Sequence, residues 1–137
     1  MASKLHQRYV LDSCALINFF QKSKGWQKVE DLLYEASQGK CTLFMSIINL
    51  GEVFYIRIRE AGELQAHQLL QVIASFPIQM IDVNYDLMLS ASRMKAKGGI
   101  SYADCFAAAI AKKEKAIVVT TDTEFKVLEP DIKIMWL

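Results

Sequence analysis

The sequence predicts an α/β fold: a mainly parallel sheet of about five strands, covered by helices on both faces. Three observations predict it. Short apolar runs alternate with stretches of helical spacing along the whole chain. The apolar runs are nearly continuous rather than alternating, as in strands buried on both faces. Gly39, Gly62, Pro77, the pair Gly98-Gly99 and Pro130 punctuate the sequence between them.

The strands are expected at residues 8–11, 41–45, 78–81, 116–120 and 132–135, each too short to stand as a helix. Between them, helical spacing predicts helices over residues 13–21, 25–38, 46–60, 63–75, 85–97 and 101–113. There is no internal repeat, low-complexity run or Pro/Gly/Ser-rich linker, so residues 1–137 are expected to form one domain. In an open sheet of this kind the functional site lies at the carboxyl ends of the strands.

The chain has 137 residues, of which 53% are hydrophobic, and its mean hydropathy is +0.17. That is apolar for so small a domain and predicts a surface that meets a partner. No apolar run approaches the ~18 to 20 residues of a membrane span. The N-terminal region carries Lys4 and Arg8, and Asp12 interrupts its first apolar run, so no secretory leader is expected and the protein is read as cytoplasmic. Cys14, Cys41 and Cys105 lack metal-ligand spacing, and with only two histidines no zinc set forms. A net charge of +1 leaves the question of a nucleic-acid partner to local charge.

Four acids stand in apolar surroundings, where an unpaired charge is costly. Asp12 ends the first strand, and Asp122 repeats the arrangement after the fourth. Each could instead cap the turn or helix that follows. Glu52 lies in a helix that is apolar nearly all round, where the alternative is a salt bridge to a basic residue such as Arg57 or Arg93. Asp104 lies in an apolar helix, and Ser101-x-x-Asp104 has the spacing of a capping box. One cause common to all four is a divalent cation. Mg2+ and Mn2+ take oxygen ligands, and crowded carboxylates repel one another without a cation.

These acids, with their local contexts, closely resemble the PIN domain, a small parallel α/β nuclease fold. The matching segments are Tyr9-Val-Leu-Asp-Ser-Cys-Ala-Leu-Ile17, Ser46-x-x-Asn-x-x-Glu52, Ile100-Ser-Tyr-Ala-Asp-x-x-x-Ala-Ala109 and Val118-Val-Thr-Thr-Asp-x-x-Phe125. The resemblance implies a five-stranded parallel sheet with the first and fourth strands adjacent, which brings Asp12 and Asp122 together, while Glu52 and Asp104 reach the site from helices. It implies that all four are catalytic metal ligands for Mg2+ or Mn2+, and that Ser13, Thr120 and Glu124 support them from behind. Thr121 departs from the glycine common at that position. A chain of this size also resembles the VapC class of bacterial toxins, which implies a cognate antitoxin.

The chemistry implied is metal-dependent hydrolysis of RNA phosphodiester bonds, leaving a 5′-phosphate and a 3′-hydroxyl. With four of the 15 acids committed to an ion, 16 basic side chains face 11 acidic ones, which favours a polyanion. Lys22, Lys24, Arg57, Arg59, Arg93, Lys95 and Lys97 are candidate phosphate contacts, with solvated helix ends as the alternative for the lysines. A homodimer is expected, with an antitoxin helix in an apolar groove beside the first two helices. Two other readings are a catalytically silent PIN-like module that binds RNA or protein, and a receiver-type domain using Asp12 as phosphoryl acceptor.

Overall fold

The computed structural model describes residues 6–137, so Lys4 lies outside the described residues. The chain runs β1 (Gln7–Leu11), α1 (Ser13–Gln21), α2 (Trp26–Ser37), β2 (Cys41–Ser46), α3 (Ile47–Ala61) and α4 (Glu63–Ala74). It continues through β3 (Ile78–Ile81), α5 (Tyr85–Ala96), α6 (Tyr102–Glu114), β4 (Ile117–Thr120), a 3-10 turn (Thr123–Leu128) and β5 (Lys133–Trp136). Every expected strand and helix is present, with ends displaced by a residue or two.

The five strands pair in parallel in the order β3-β2-β1-β4-β5. The chain builds outward from β1 to β3 and then returns to lay β4 on the other side of β1. The strand order therefore reverses between β1 and β4, and the crevice beyond the carboxyl ends of these two strands is where such sheets place their sites.

Side-chain alternation sends successive strand residues to opposite faces. Val10, Phe44 and Val118 join a core beneath α5 and α6. Tyr9, Leu11, Leu43, Met45 and Val119 join a second core with residues of α1 to α4. The helix α6 is buried from Asp104 to Ala111, and its run Ala107-Ala-Ala109 lets it lie close over β1, β2 and β4. That close approach carries Asp104 to the sheet's carboxyl end.

Caps set the helix starts. Ser46 Oγ accepts from Ile48 N at 3.1 Å, and Asn84 Oδ1 accepts from Leu87 N at 2.8 Å. At the α1–α2 connection, Gly25 has φ +81°, and a Cβ there would stand 2.3 Å from Cβ of Leu137, so only glycine lets the C-terminal residue pack against this loop. Cys14 is half-buried, Cys41 and Cys105 are buried, and all three are free thiols. No helix among the described residues is long and apolar enough to cross a membrane.

Candidate metal centre

Asp12 follows β1 directly, and β1 lies beside β4, so Asp12 and Asp122 emerge side by side from neighbouring strands. Asp12 is fully buried, and both of its carboxylate oxygens are engaged. Oδ1 accepts from Ala15 N at 2.9 Å, which makes Asp12 the N-cap of α1. Oδ2 accepts from the hydroxyl of Thr120. Capping and membership of an acidic site thus coexist in one residue. Thr120 Oγ1 also accepts from Asp122 N at 2.8 Å, so this buried hydroxyl joins the two strand-end acids.

Asp122 caps the following 3-10 turn by accepting from Glu124 N at 2.9 Å. Glu124 Oε2 in turn accepts from Ser101 N at 3.3 Å, and Ser101 Oγ accepts from Asp104 N at 3.3 Å. The capping box expected at Ser101 is therefore completed by Glu124 from another element rather than by Asp104. This leaves the Asp104 side chain to face the strand ends. Single carboxylate oxygens of Asp104, Asp122 and Glu124 lie within 4.8 Å of one another. Glu124, expected to stand behind the other acids, thus stands with Asp104 and Asp122, whereas Asp12 and Glu52 lie outside this close group.

Glu52, half-buried on α3, is held by two neutral donors. The Ser13 hydroxyl donates to its Oε1 at 3.0 Å and Asn49 Nδ2 donates to the same oxygen at 2.8 Å. The salt-bridge alternative is not what forms: Arg57 pairs with Glu60 at 3.5 Å, and among the described residues no lysine or arginine pairs with Glu52, Asp12, Asp104 or Asp122.

Burial and mutual repulsion shift the protonation of Asp12 and Asp104. Asp12 is pushed up to about 7, first by burial and then by the charges of Asp122 and Glu52, against the opposing hydrogen bonds from Thr120 and Ala15 N. Burial also raises Asp104, reinforced by its hydrogen bond with Asp122 and by the charge of Asp12. The Cys14 thiol is raised to about 12 by burial and by the same acids, so it stands neutral beside them.

A divalent ion fits this donor set. The donors are hard carboxylate oxygens, and among the described residues no histidine joins the cluster and no lysine or arginine pairs with its acids.

Several basic candidates are engaged elsewhere. Lys22 Nζ lies 5.6 Å from the centroid of the Trp26 ring, and the Arg59 guanidinium lies 4.9 Å from that of Tyr55. Lys95 donates to Ile100 O at 2.9 Å. Thr121 acquires a local role: Asn18 Nδ2 donates to its Oγ1 at 3.3 Å and to Lys24 O at 3.1 Å, tying the α1–α2 loop to the end of β4.

The model of the PIN domain family matches residues 9–129, and the chain belongs to that family, a family of nucleases. No curated protein matches the sequence significantly. Among solved structures, the chain is similar to VapBC2 from Rickettsia felis bound to a promoter DNA fragment, with a TM-score of 0.73, 20% identity and coverage of 96% of this chain and 99% of that one. It is similar to DNA-bound VapBC from Salmonella typhimurium, with a TM-score of 0.72, 18% identity and coverage of 94% and 97%. It is also similar to VapC20 from Mycobacterium tuberculosis, a toxin that cleaves the sarcin–ricin loop, with a TM-score of 0.68, 17% identity and coverage of 87% and 93%. At these identities the likeness is one of fold.

Proposed function

We propose that this chain is a divalent-metal-dependent endoribonuclease, a cytoplasmic toxin restrained by an antitoxin, whose single domain spans residues 1–137. The observation that carries the reading is the acidic cluster at the carboxyl ends of β1 and β4, where carboxylate oxygens of Asp104, Asp122 and Glu124 lie within 4.8 Å of one another, Asp12 feels the charges of Asp122 and Glu52, and no lysine or arginine among the described residues pairs with any of these acids. Asp12, Glu52, Asp104 and Asp122 would hold Mg2+ or Mn2+. The bound ion supplies a water of lowered pKa and positive charge to offset that developing on the phosphate.

The chain's own residues set the stage for that chemistry. Thr120 fixes the Asp12 carboxylate and, through Asp122 N, the start of the turn bearing Asp122 and Glu124. Ser13 and Asn49 fix Glu52. Burial and the neighbouring acids bias Asp12 and Asp104 toward their protonated forms when no ion is present. Loading an ion therefore releases protons, and ion binding strengthens as pH rises. Ser13, Thr120 and Glu124 support the four acids, with Glu124 close enough to Asp104 and Asp122 to add its charge to theirs.

The antitoxin reading rests on an apolar groove of about 330 Å³ lined by Ile17 and Phe20 of α1, Val53 and Ile56 of α3, and Leu69 and Val72 of α4. It adjoins α1 as expected, but its other walls are α3 and α4 rather than α2. The reason is that the apolar face of α2, with Val29, Leu32 and Leu33, is spent on the core. Arg57 and Glu60 rim the groove, so an amphipathic helix could seat apolar side chains in it and pair charges at its edge. Exposed Ile48, Tyr55, Tyr85 and Tyr102 supply further apolar surface for a homodimer.

The test is end-mapping of cellular RNA after induction of the protein, with induction of Asp12→Asn as control. New RNA ends carrying 5′-phosphate, present with the wild type and missing with the variant, are expected. Identical end profiles from the two would refute the nuclease reading.

A further inference from the structure

We propose that Asn49 is a positioning residue for the metal centre, fixing through its side-chain amide which Glu52 oxygen is left for the ion. The inference rests on the metal-site reading above. Asn49 is fully buried in the first turn of α3, three residues before Glu52, so the two side chains share a helix face. Its Nδ2 donates to Glu52 Oε1 at 2.8 Å and is also 3.4 Å from Ala103 O, on the first turn of α6. One amide thus reaches both the carboxylate of Glu52 and the backbone beside Asp104.

The orientation of that amide is determined by chemistry. Both neighbours, a carboxylate oxygen and a carbonyl, are acceptors, so the NH2 must face them. Turning the amide over would set oxygen against oxygen. The consequence is that Asn49 Oδ1 is buried with no hydrogen-bond partner among the described residues. Buried polar atoms are normally satisfied, and an exception calls for a physical reason. Packing alone does not account for it, because leucine would fill similar volume without an orphaned oxygen.

That reason follows from where the donors fall. The Ser13 hydroxyl and the Asn49 amide both converge on Oε1 of Glu52, while Oε2 accepts no hydrogen bond among the described residues. Two neutral donors hold the carboxylate in one rotamer without cancelling its charge, as a lysine or arginine would. Partners behind a metal-binding group orient it in this way, and losing one typically costs about 10- to 100-fold in metal affinity. Ser13 follows the strand-end acid Asp12 directly and Asn49 touches α6, so Glu52 is registered against the elements that carry Asp12 and Asp104.

The test is Mn2+ binding to the full chain, without RNA, by isothermal titration calorimetry for wild type, Asn49→Leu, Ser13→Ala and Glu52→Gln. Asn49→Leu is expected to weaken binding by about 10- to 100-fold, Ser13→Ala by less, and Glu52→Gln by at least as much as Asn49→Leu. Wild-type affinity in Asn49→Leu, with Glu52→Gln weakened, would overturn the role of Asn49 and leave the metal site standing. Unchanged affinity in Glu52→Gln would overturn the metal-site reading and this inference with it. Should Asn49→Leu fail to fold, the wild type decides: the Asn49 side-chain NH2 resonances should shift on Mg2+ addition, and resonances that stay put would overturn the proposal.

Discussion

Replacing Asp12 by asparagine isolates the electrostatic cost of the metal-free site. The Asp12 carboxyl rises from an ordinary 3.8 to about 7 on folding. The folded chain therefore holds a proton that the unfolded chain gives up, and stability falls as pH climbs through that window. From the two pKa values the penalty is about 0.5 kcal/mol at pH 4 and grows to about 4 kcal/mol at pH 8. Asparagine keeps the shape and the cap on Ala15 N but has no second acceptor for the Thr120 hydroxyl, a loss of about 1 kcal/mol. In EDTA at pH 8, Asp12→Asn should be more stable than wild type by about 2 to 3 kcal/mol, raising Tm by roughly 8 °C for a chain of this size. At pH 4 the gain should vanish or turn into a slight loss. Paired thermal melts by circular dichroism at the two pH values make the measurement. A variant less stable than wild type by the same amount at both would show that Asp12 is a simple cap and carries no buried charge penalty.

Three further outcomes are expected. Thr120→Val removes the hydroxyl that lowers Asp12 and accepts from Asp122 N, so the acidic limb of the pH–rate profile should move to higher pH, and urea unfolding should show a loss of about 1 to 3 kcal/mol. An unmoved limb would mean that Asp12 does not govern it. Gly25→Ala places a Cβ against Leu137 at a positive φ, and should cost at least ~1 kcal/mol in the same urea titration, where an unchanged midpoint would contradict the close packing described. Val72→Glu puts a charge into the apolar groove at a residue already 46% exposed, so the fold should survive. On the proposed toxin reading, co-purification with a co-expressed cognate antitoxin should be lost, and retention would exclude this groove as its seat.

The order of strands and helices was legible in the sequence because each element carries its own periodicity and several helices carry their own caps. Ser46, Asn84 and Ser101 mark three helix starts by residue type alone. The acids at the strand ends were legible for a related reason, since a charge in an apolar run stands out wherever it folds. What the sequence did not disclose are relations between distant residues. Thr120 meets Asp12 across 108 positions, and Glu124 completes a cap begun 23 positions earlier at Ser101. The same holds for Glu52. The alternative to a metal there was a basic partner such as Arg57 or Arg93, whereas its donors are Asn49, visible at the i, i+3 spacing, and Ser13, 39 positions away. The groove went to α3 and α4 for the same kind of reason. Apolar content shows that a helix face will be covered, but whether the core or a partner covers it is decided by packing, and the core took that of α2.

The central claim is that these acids hold a divalent ion that cuts RNA, and cleavage of a defined RNA by the purified chain tests it most directly. Wild type, Asp12→Asn, Glu52→Gln and Asp104→Asn should be compared in Mn2+ and in EDTA, with the new ends mapped chemically. The account predicts cleavage by the wild type in Mn2+ only, with 5′-phosphate and 3′-hydroxyl ends, and at least ~100-fold less with each folded variant. Cleavage that persists in EDTA, ends carrying 2′,3′-cyclic phosphate, or full activity in two of the three variants would contradict it.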